Sequence, residues 1–191
     1  DNSLWRQTVY EDLKASWIHP GRVLSSLLKD PSVLKEPMET CSDLYYIVVG
    51  MQDIPSEVDF SDLMTPEELF SGWKCVNSRM YYVNTRCPES SMTGPLSARP
   101  LLKDFLDKAD AALSGESGDV ATLRFGHDSV LLRLMSLMGI EGCDAEETEP
   151  RSYWKAWQDW RIIPMAANLQ MVFYQKASGA AAEDARVKFL L

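Results

Sequence analysis

The segment ATLRFGHDSVLLRLMSLMG, residues 121–139, decides how the rest of the chain is interpreted. Its apolar residues, with Val120 in front, predict a buried strand over residues 120–125 that passes through Gly126 into a buried helix. Asp128 stands at the expected N-cap of that helix, and Gly139 at the C′ position where it ends. Because few polar residues interrupt the helix, we expect it to be covered on most sides.

The turn between strand and helix carries residues suited to binding an anion. A helix N-terminus has free N–H groups and a partial positive charge, which stabilise phosphate or carboxylate. Gly126 permits close approach, His127 can donate a hydrogen bond to a phosphate oxygen, and Asp128 with a raised pKa can protonate a leaving alcohol. In a simpler interpretation, Asp128 only caps the helix and His127 is a core histidine. Capping alone accounts for an Asp here, so the residues by themselves favour the simpler interpretation.

Residues 123–132, LRFGHDSVLL, resemble the C-terminal active-site motif of the histidine acid phosphatases, branch 2 of the histidine phosphatase superfamily. The whole chain resembles its multiple inositol polyphosphate phosphatase, or phytase-like, group. The resemblance implies that His127 binds the substrate phosphate, that Asp128 is the general acid, and that Gly126 and Ser129 border the substrate. It implies no metal and no cofactor. His-Asp replaces the His-Ala-Glu of many members, which leaves the preferred phosphate ester open.

The family's nucleophilic histidine lies in an N-terminal Arg-His-Gly-x-Arg motif, which these 191 residues lack. The other histidine, His19, lies in WIHPG, residues 17–21, which is a different motif. We therefore expect the C-terminal portion of a phosphomonoesterase, inactive alone, whose partners are the N-terminal half of the same protein and a phosphorylated small molecule such as an inositol phosphate. The alternative is a non-catalytic binding or structural module, either a degenerate phosphatase relative or an isolated helical domain.

Residues 1–97 are predicted to form a mainly helical subdomain. Apolar positions recur at helical spacing in four or five successive segments, with proline-containing breaks between them and no strand pattern. One segment begins at residues 65–68, TPEE, a capping box with proline at the first helical position. The subdomain resembles the helical cap over the phosphate site of the family, and that resemblance makes Lys74, Arg79 and Arg86 candidate contacts to an anionic substrate.

Residues 98–191 are predicted to form the C-terminal part of an α/β phosphatase core of phosphoglycerate-mutase-like fold. A helix from Pro100 to Leu113, the buried strand and the helix after Gly126 follow the order of a mostly parallel α/β core. An acidic surface loop follows at residues 144–150.

The last forty residues predict aromatic packing and one strand pair. Three tryptophans at three-residue spacing, Trp154, Trp157 and Trp160, are expected to pack on a short helix or turn. Residues 169–175 and 186–191 predict antiparallel strands joined by a turn over 177–184. Asn168 is either a polar contact near the active centre or a turn residue.

The composition restricts the class of protein. An apolar content of 46% is typical of a globular fold, and the net charge of −9 argues against nucleic-acid binding. No run is long and apolar enough to predict a membrane span, and the family resemblance implies a periplasmic or secreted location. Cys41, Cys75, Cys87 and Cys143 lack metal-binding spacing. The sequence leaves two alternatives for them: a disulfide between Cys75 and Cys87, or four buried free thiols.

Overall fold

The computed structural model describes residues 11–17, 19–55, 57–90, 92–175 and 185–191. Most of them are helical, as predicted. Nine α-helices can be described in this part of the chain: α1 Glu11–Trp17, α2 Pro20–Leu27, α3 Pro37–Gly50, α4 Pro66–Asn84, α5 Thr93–Leu96, α6 Arg99–Leu113, α7 Asp128–Met138, α8 Tyr153–Ala156 and α9 Asp159–Ile162. Short 3-10 turns occur at Pro31–Val33, Met51–Asp53, Ser61–Leu63 and Pro150–Ser152.

The described residues fall into two compact units. The first contains those up to Arg79 together with Glu149–Lys155, and the second contains Met80–Thr148 and those from Ala156 onward. The boundary between these two units lies inside α4. The assignment of residues 1–97 to a phosphatase cap and 98–191 to a phosphatase core stays a prediction.

In the first unit, the capping box forms as the sequence predicts. The Thr65 amide donates to the Glu68 carboxylate at 2.8 Å, and the Glu68 amide donates to Thr65 Oγ1 at 3.3 Å. Arg22 of α2 also donates to Glu68, and this hydrogen bond holds the pKa of the carboxyl below its usual value. The start of α4 is therefore tied to α2. The buried side chains of this unit include Leu13, Val23, Leu24 and Tyr45.

In the second unit, the predicted buried strand over residues 120–125 is wrong. Residues 119–127 form no strand or helix, and the side chains of Val120, Leu123 and Phe125 are 103%, 71% and 95% exposed. A strand needs a hydrogen-bonded neighbour for its backbone, and the described residues place none beside this segment. The apolar pattern indicates only that these side chains favour burial. Whether a second strand pairs with the segment depends on the tertiary structure.

Helix α7 follows this segment and agrees with the prediction at its C-terminal end. Gly139 has φ +68°, in the left-handed region, and the Ile140 amide donates to the Met135 carbonyl at 3.1 Å, which closes the helix. Leu132, Leu134, Met135 and Ser136 are buried, but Val130 is 41% exposed. Burial therefore covers the second half of α7 rather than most of its length.

The loop after α7 is attached through side chains that the sequence does not reveal as partners. Asp144 accepts hydrogen bonds from Ser136 Oγ at 2.5 Å and from Arg86 Nε at 2.8 Å. The Tyr81 hydroxyl donates to the Ala145 carbonyl at 2.6 Å, and Trp157 Nε1 donates to the Cys143 carbonyl at 2.9 Å. These bonds fix the C-terminal end of α7 within the second unit.

The tryptophan series packs as predicted, with one exception. Trp157 is buried beside Tyr81, at a ring separation of 5.6 Å, and in the first unit Trp154 meets Phe70 edge to face at 5.2 Å. Trp160 is more than half exposed, with the Arg161 guanidinium 4.8 Å from its ring centre. Two of the three indoles are therefore part of the packing.

The strand pair predicted near the C-terminus is confirmed. Strands β1 (Gln170–Tyr174) and β2 (Arg186–Leu190) are antiparallel, in the register Gln170 opposite Leu190 and Tyr174 opposite Arg186. The predicted turn over residues 177–184 lies outside the described residues. No other strand pairs with these two within the described ranges, so the predicted parallel sheet is not formed there.

The four cysteines are buried free thiols, which decides between the two open alternatives. Burial raises the pKa of Cys41 and Cys143 to about 11 and that of Cys75 to about 12. The thiolate is the reactive form, so these side chains behave as small apolar groups at neutral pH. No Cys75–Cys87 disulfide is present.

Gly139→Ala is expected to lower the free energy of unfolding by about 1–2 kcal/mol, because an L side chain is strained at a φ of +68°. Gly118→Ala is the matched control, since a Cβ at Gly118 would meet nothing within 4 Å and its φ is not in that region. Urea unfolding of both variants provides the measurement. Equal losses in the two variants would contradict the assignment of strain to Gly139.

Candidate functional site

Residues 126–129 lie where an exposed loop enters α7. Gly126, His127 and Asp128 are exposed, and Ser129 is half-buried. His127 has an extended backbone, and its carbonyl accepts hydrogen bonds from the Val130 and Leu131 amides at 3.1 and 3.2 Å. The simpler interpretation of His127 as a core histidine is therefore wrong, since its side chain is available to solvent.

The helix begins one residue earlier than the sequence predicts, which changes the role of Asp128. His127 takes the N-cap position without a side-chain capping bond, and Asp128 is the first residue of α7. The Asp128 carboxylate accepts a hydrogen bond from the Ser129 amide at 2.6 Å through Oδ1. An exposed carboxylate in the first turn interacts favourably with the positive end of the helix dipole. Asp128 thus contributes to the helix start without being its N-cap.

The N-terminus of α7 offers fewer free amides than the sequence suggests. The amides of Ser129, Val130 and Leu131 donate to Asp128 or to the His127 carbonyl. Among the described contacts, the Asp128 amide alone in the first turn has no acceptor. An anion at this turn would therefore be bound chiefly by side chains, with one backbone donor in addition.

Gly126 has no steric requirement in the chain as it stands. A Cβ built on it would meet nothing within 4 Å, and its φ is outside the left-handed region. Its predicted role, which is to let a ligand approach the backbone, is therefore a statement about a ligand-bound state. Ser129 stays a candidate contact, with its amide on Asp128 and its side chain half-buried.

The cationic candidates Lys74 and Arg79 belong to the first unit, whereas residues 126–129 belong to the second. Lys74 Nζ lies 5.0 Å from the ring centre of Phe70 and 5.9 Å from that of Trp154, and burial lowers the pKa of Lys74. Arg79 is half-buried and makes no ion pair within the part of the chain that is described. Lys74 and Arg79 are therefore not members of the unit that contains His127.

Two cations of the second unit have different partners. Arg86 donates to Asp144 and is thereby part of the attachment of the loop after α7. Arg133, which the sequence shows only as a polar interruption of the helix, donates from Nε to Asn84 Oδ1 at 2.7 Å. Asn84 lies 49 residues earlier, at the end of α4. Only the tertiary fold brings this pair together, so no signal in the sequence identifies it.

The remaining candidate polar residue, Asn168, is exposed, and its Oδ1 accepts a hydrogen bond from Gln170 Nε2 at 2.8 Å. Across the described ranges, no group of three or more His, Cys, Asp or Glu side chains is arranged to hold a metal ion. The helices that can be described are all too short or too polar to cross a membrane.

The candidate site therefore consists of the contiguous residues Gly126, His127, Asp128 and Ser129 at the start of α7. Its support is the resemblance of residues 123–132 to a phosphatase motif and the exposure of the His-Asp pair. No family model matches the chain, and no curated protein matches it.

Proposed function

We propose that this chain is the C-terminal portion of a phosphomonoesterase of the histidine acid phosphatase type. The observation that carries the proposal is the exposed His127-Asp128 pair at the start of α7, a helix whose other end is fixed by buried contacts. A His-Asp pair on a rigid element can hold and protonate a reacting group, as loops alone seldom can.

The reaction proceeds in two steps in this proposal. A nucleophilic histidine outside these 191 residues attacks phosphorus, the bond from phosphorus to the leaving oxygen breaks, and Asp128 gives its proton to that oxygen. Water then attacks the phosphohistidine and gives a proton to the Asp128 carboxylate, the bond from phosphorus to nitrogen breaks, and inorganic phosphate leaves with both residues restored. His127 donates a hydrogen bond to a phosphoryl oxygen, whose charge grows in the transition state.

Asp128 must be protonated before it can act as the general acid. In the structure its carboxylate accepts a hydrogen bond from the Ser129 amide, and a bound leaving group would lie on the side that this amide leaves open.

The substrate in this proposal is a small phosphomonoester, with inositol phosphates among the candidates, and Gly126, Ser129, Lys74 and Arg79 are candidate contacts to it. A net charge of −9 does not favour an anionic substrate, so the nucleophile-bearing part must supply much of the positive charge. The same part would cover the exposed apolar side chains of residues 120–125 and complete the phosphatase core. A periplasmic or secreted location follows from the resemblance.

The second candidate is a non-catalytic binding or structural module. The observation that favours it is the absence of an Arg-His-Gly-x-Arg motif from the 191 residues. An exposed His-Asp pair without a nucleophile can bind an anion but cannot form a phosphohistidine. The two candidates differ in whether a longer form of the protein hydrolyses phosphate esters.

The purified chain is expected to hydrolyse an aryl phosphate no faster than buffer, because it contains no nucleophile for the first step. A longer polypeptide of the same protein that includes the Arg-His-Gly-x-Arg motif is expected to turn the substrate over and to lose activity in its His127→Ala form. Robust hydrolysis by the 191 residues alone would contradict the proposal that the nucleophile lies outside them. An inactive longer polypeptide with the motif intact would favour the module.

A further inference from the structure

Arg133 is a half-buried cation whose hydrogen-bond acceptors are uncharged. Its Nε donates to Asn84 Oδ1 at 2.7 Å, and its Nη1 lies 3.5 Å from Ser97 Oγ, at the limit of a hydrogen bond. Asn84 is only 3% exposed, and its amide nitrogen donates to the Met80 carbonyl at 3.2 Å, which directs Oδ1 toward the guanidinium. The orientation of the Arg133 side chain is therefore fixed by a buried neighbour.

The charge of Arg133 is not neutralised by a carboxylate. Arg22, Arg86 and Arg124 each make an ion pair with Glu68, Asp144 and Asp104, respectively. Arg133 has no carboxylate oxygen within 4 Å in the part of the chain that is described. A guanidinium is always protonated and carries five N–H donors, of which Asn84 and Ser97 use two at most. An oxyanion would use the remaining donors and compensate a partly desolvated charge.

Arg133 lies on the same face of α7 as the candidate site. It follows Ser129 by four residues, a spacing that places two side chains next to each other on a helix. Gly126, His127, Asp128 and Ser129 include no permanent cation. Arg124, two residues before Gly126, is paired with Asp104, whereas Arg133 is the cation that α7 itself carries.

We propose that Arg133 is an anion-binding residue that holds an oxyanion of the phosphate or carboxylate class beside Ser129. Its location next to residues 126–129 makes it a positively charged contact of the same site, and in that respect the inference rests on the proposed function. Asn84 is the positioning residue, because its hydrogen bond to Nε holds the Arg133 guanidinium in one orientation.

The test is an NMR titration of the chain itself, which needs no turnover. The Nε–Hε resonance of Arg133, assigned by its loss in Arg133→Gln, is followed as inorganic phosphate is added, with acetate in a parallel titration. We expect phosphate to shift this resonance and Arg133→Gln to weaken phosphate binding at least about tenfold. Lys108→Gln, which removes the same charge from an exposed position of α6, is expected to weaken it less than about twofold.

A response to acetate equal to that with phosphate supports the oxyanion site and includes carboxylates among its ligands. Should Arg133→Gln fail to fold, two measurements still test the inference. They are the shift of the Nε–Hε resonance in the unsubstituted chain and the phosphate affinity of Arg133→Lys. The inference is overturned if neither anion shifts the resonance, or if Arg133→Gln and Lys108→Gln weaken binding equally. A phosphate response at Arg133 in a protein whose longer form is inactive would refute the phosphatase proposal and leave this inference standing.

Discussion

Asp128→Asn is expected to lower kcat by about 10²–10⁴ in a longer polypeptide that carries the nucleophilic motif, which is the usual contribution of a general acid. An amide oxygen can still accept the Ser129 amide hydrogen bond, so the start of α7 keeps its local contact. The amide has no transferable proton, however, and the leaving alkoxide must depart unprotonated. Steady-state kinetics with an alkyl phosphate measure the loss.

The dependence on the leaving group separates catalysis from a merely structural role of Asp128. An aryl leaving group with a low pKa needs little protonation, so the loss in Asp128→Asn should shrink for aryl phosphates. Asp119→Asn, in the exposed loop before α7, is the matched control and should change neither rate. Equal losses on aryl and alkyl phosphates would mean that Asp128 acts only on the helix.

Leu132→Ala is expected to lower the free energy of unfolding by about 2–5 kcal/mol, the range for truncating a fully buried leucine. Leu132 is 0% exposed and lies in the buried second half of α7. The loss combines the transfer free energy of the removed carbons with the cost of the cavity that they leave. Urea unfolding, with the midpoint and slope fitted together, gives the difference.

Val130→Ala is the control for this prediction because Val130 lies on the same helix and is 41% exposed. Its truncation removes less buried surface, and we expect a loss below about 1 kcal/mol. A similar small loss in Leu132→Ala would show that α7 is not held by its buried face. The candidate site would then lack the rigid support that the proposal assigns to it.

The helices could be predicted because their signals are local in the sequence. The capping box at Thr65 and Glu68 needs only neighbouring residues, and the same holds for Gly139, which ends α7 in the left-handed conformation. Helical spacing of apolar residues likewise needs only the segment itself. These features do not depend on residues that are distant in the sequence.

The parts that could not be predicted depend on partners distant in the sequence. Residues 120–125 have the composition of a buried strand, but a strand requires a neighbour, and the described residues provide none. The bond from Arg133 to Asn84 spans 49 residues, and that from Tyr81 to Ala145 spans 64. For the site, the His-Asp pair stays a prediction. The sequence put Asp128 at the N-cap, whereas Asp128 is the first residue of α7, because the backbone angles at His127 set the N-cap there.

The central claim is that the turn at residues 126–129 is where phosphate binds, and a crystal of the chain soaked in tungstate tests it most directly. We expect anion density beside the His127 side chain and the Asp128 amide, with millimolar or weaker affinity, equivalent to about 4 kcal/mol or less. His127→Ala should lose this density while α7 still forms, because the helix dipole contributes only about 0.3–1 kcal/mol at an exposed end. Density at Lys74, Arg79 or Arg86 with residues 126–129 empty would contradict the account.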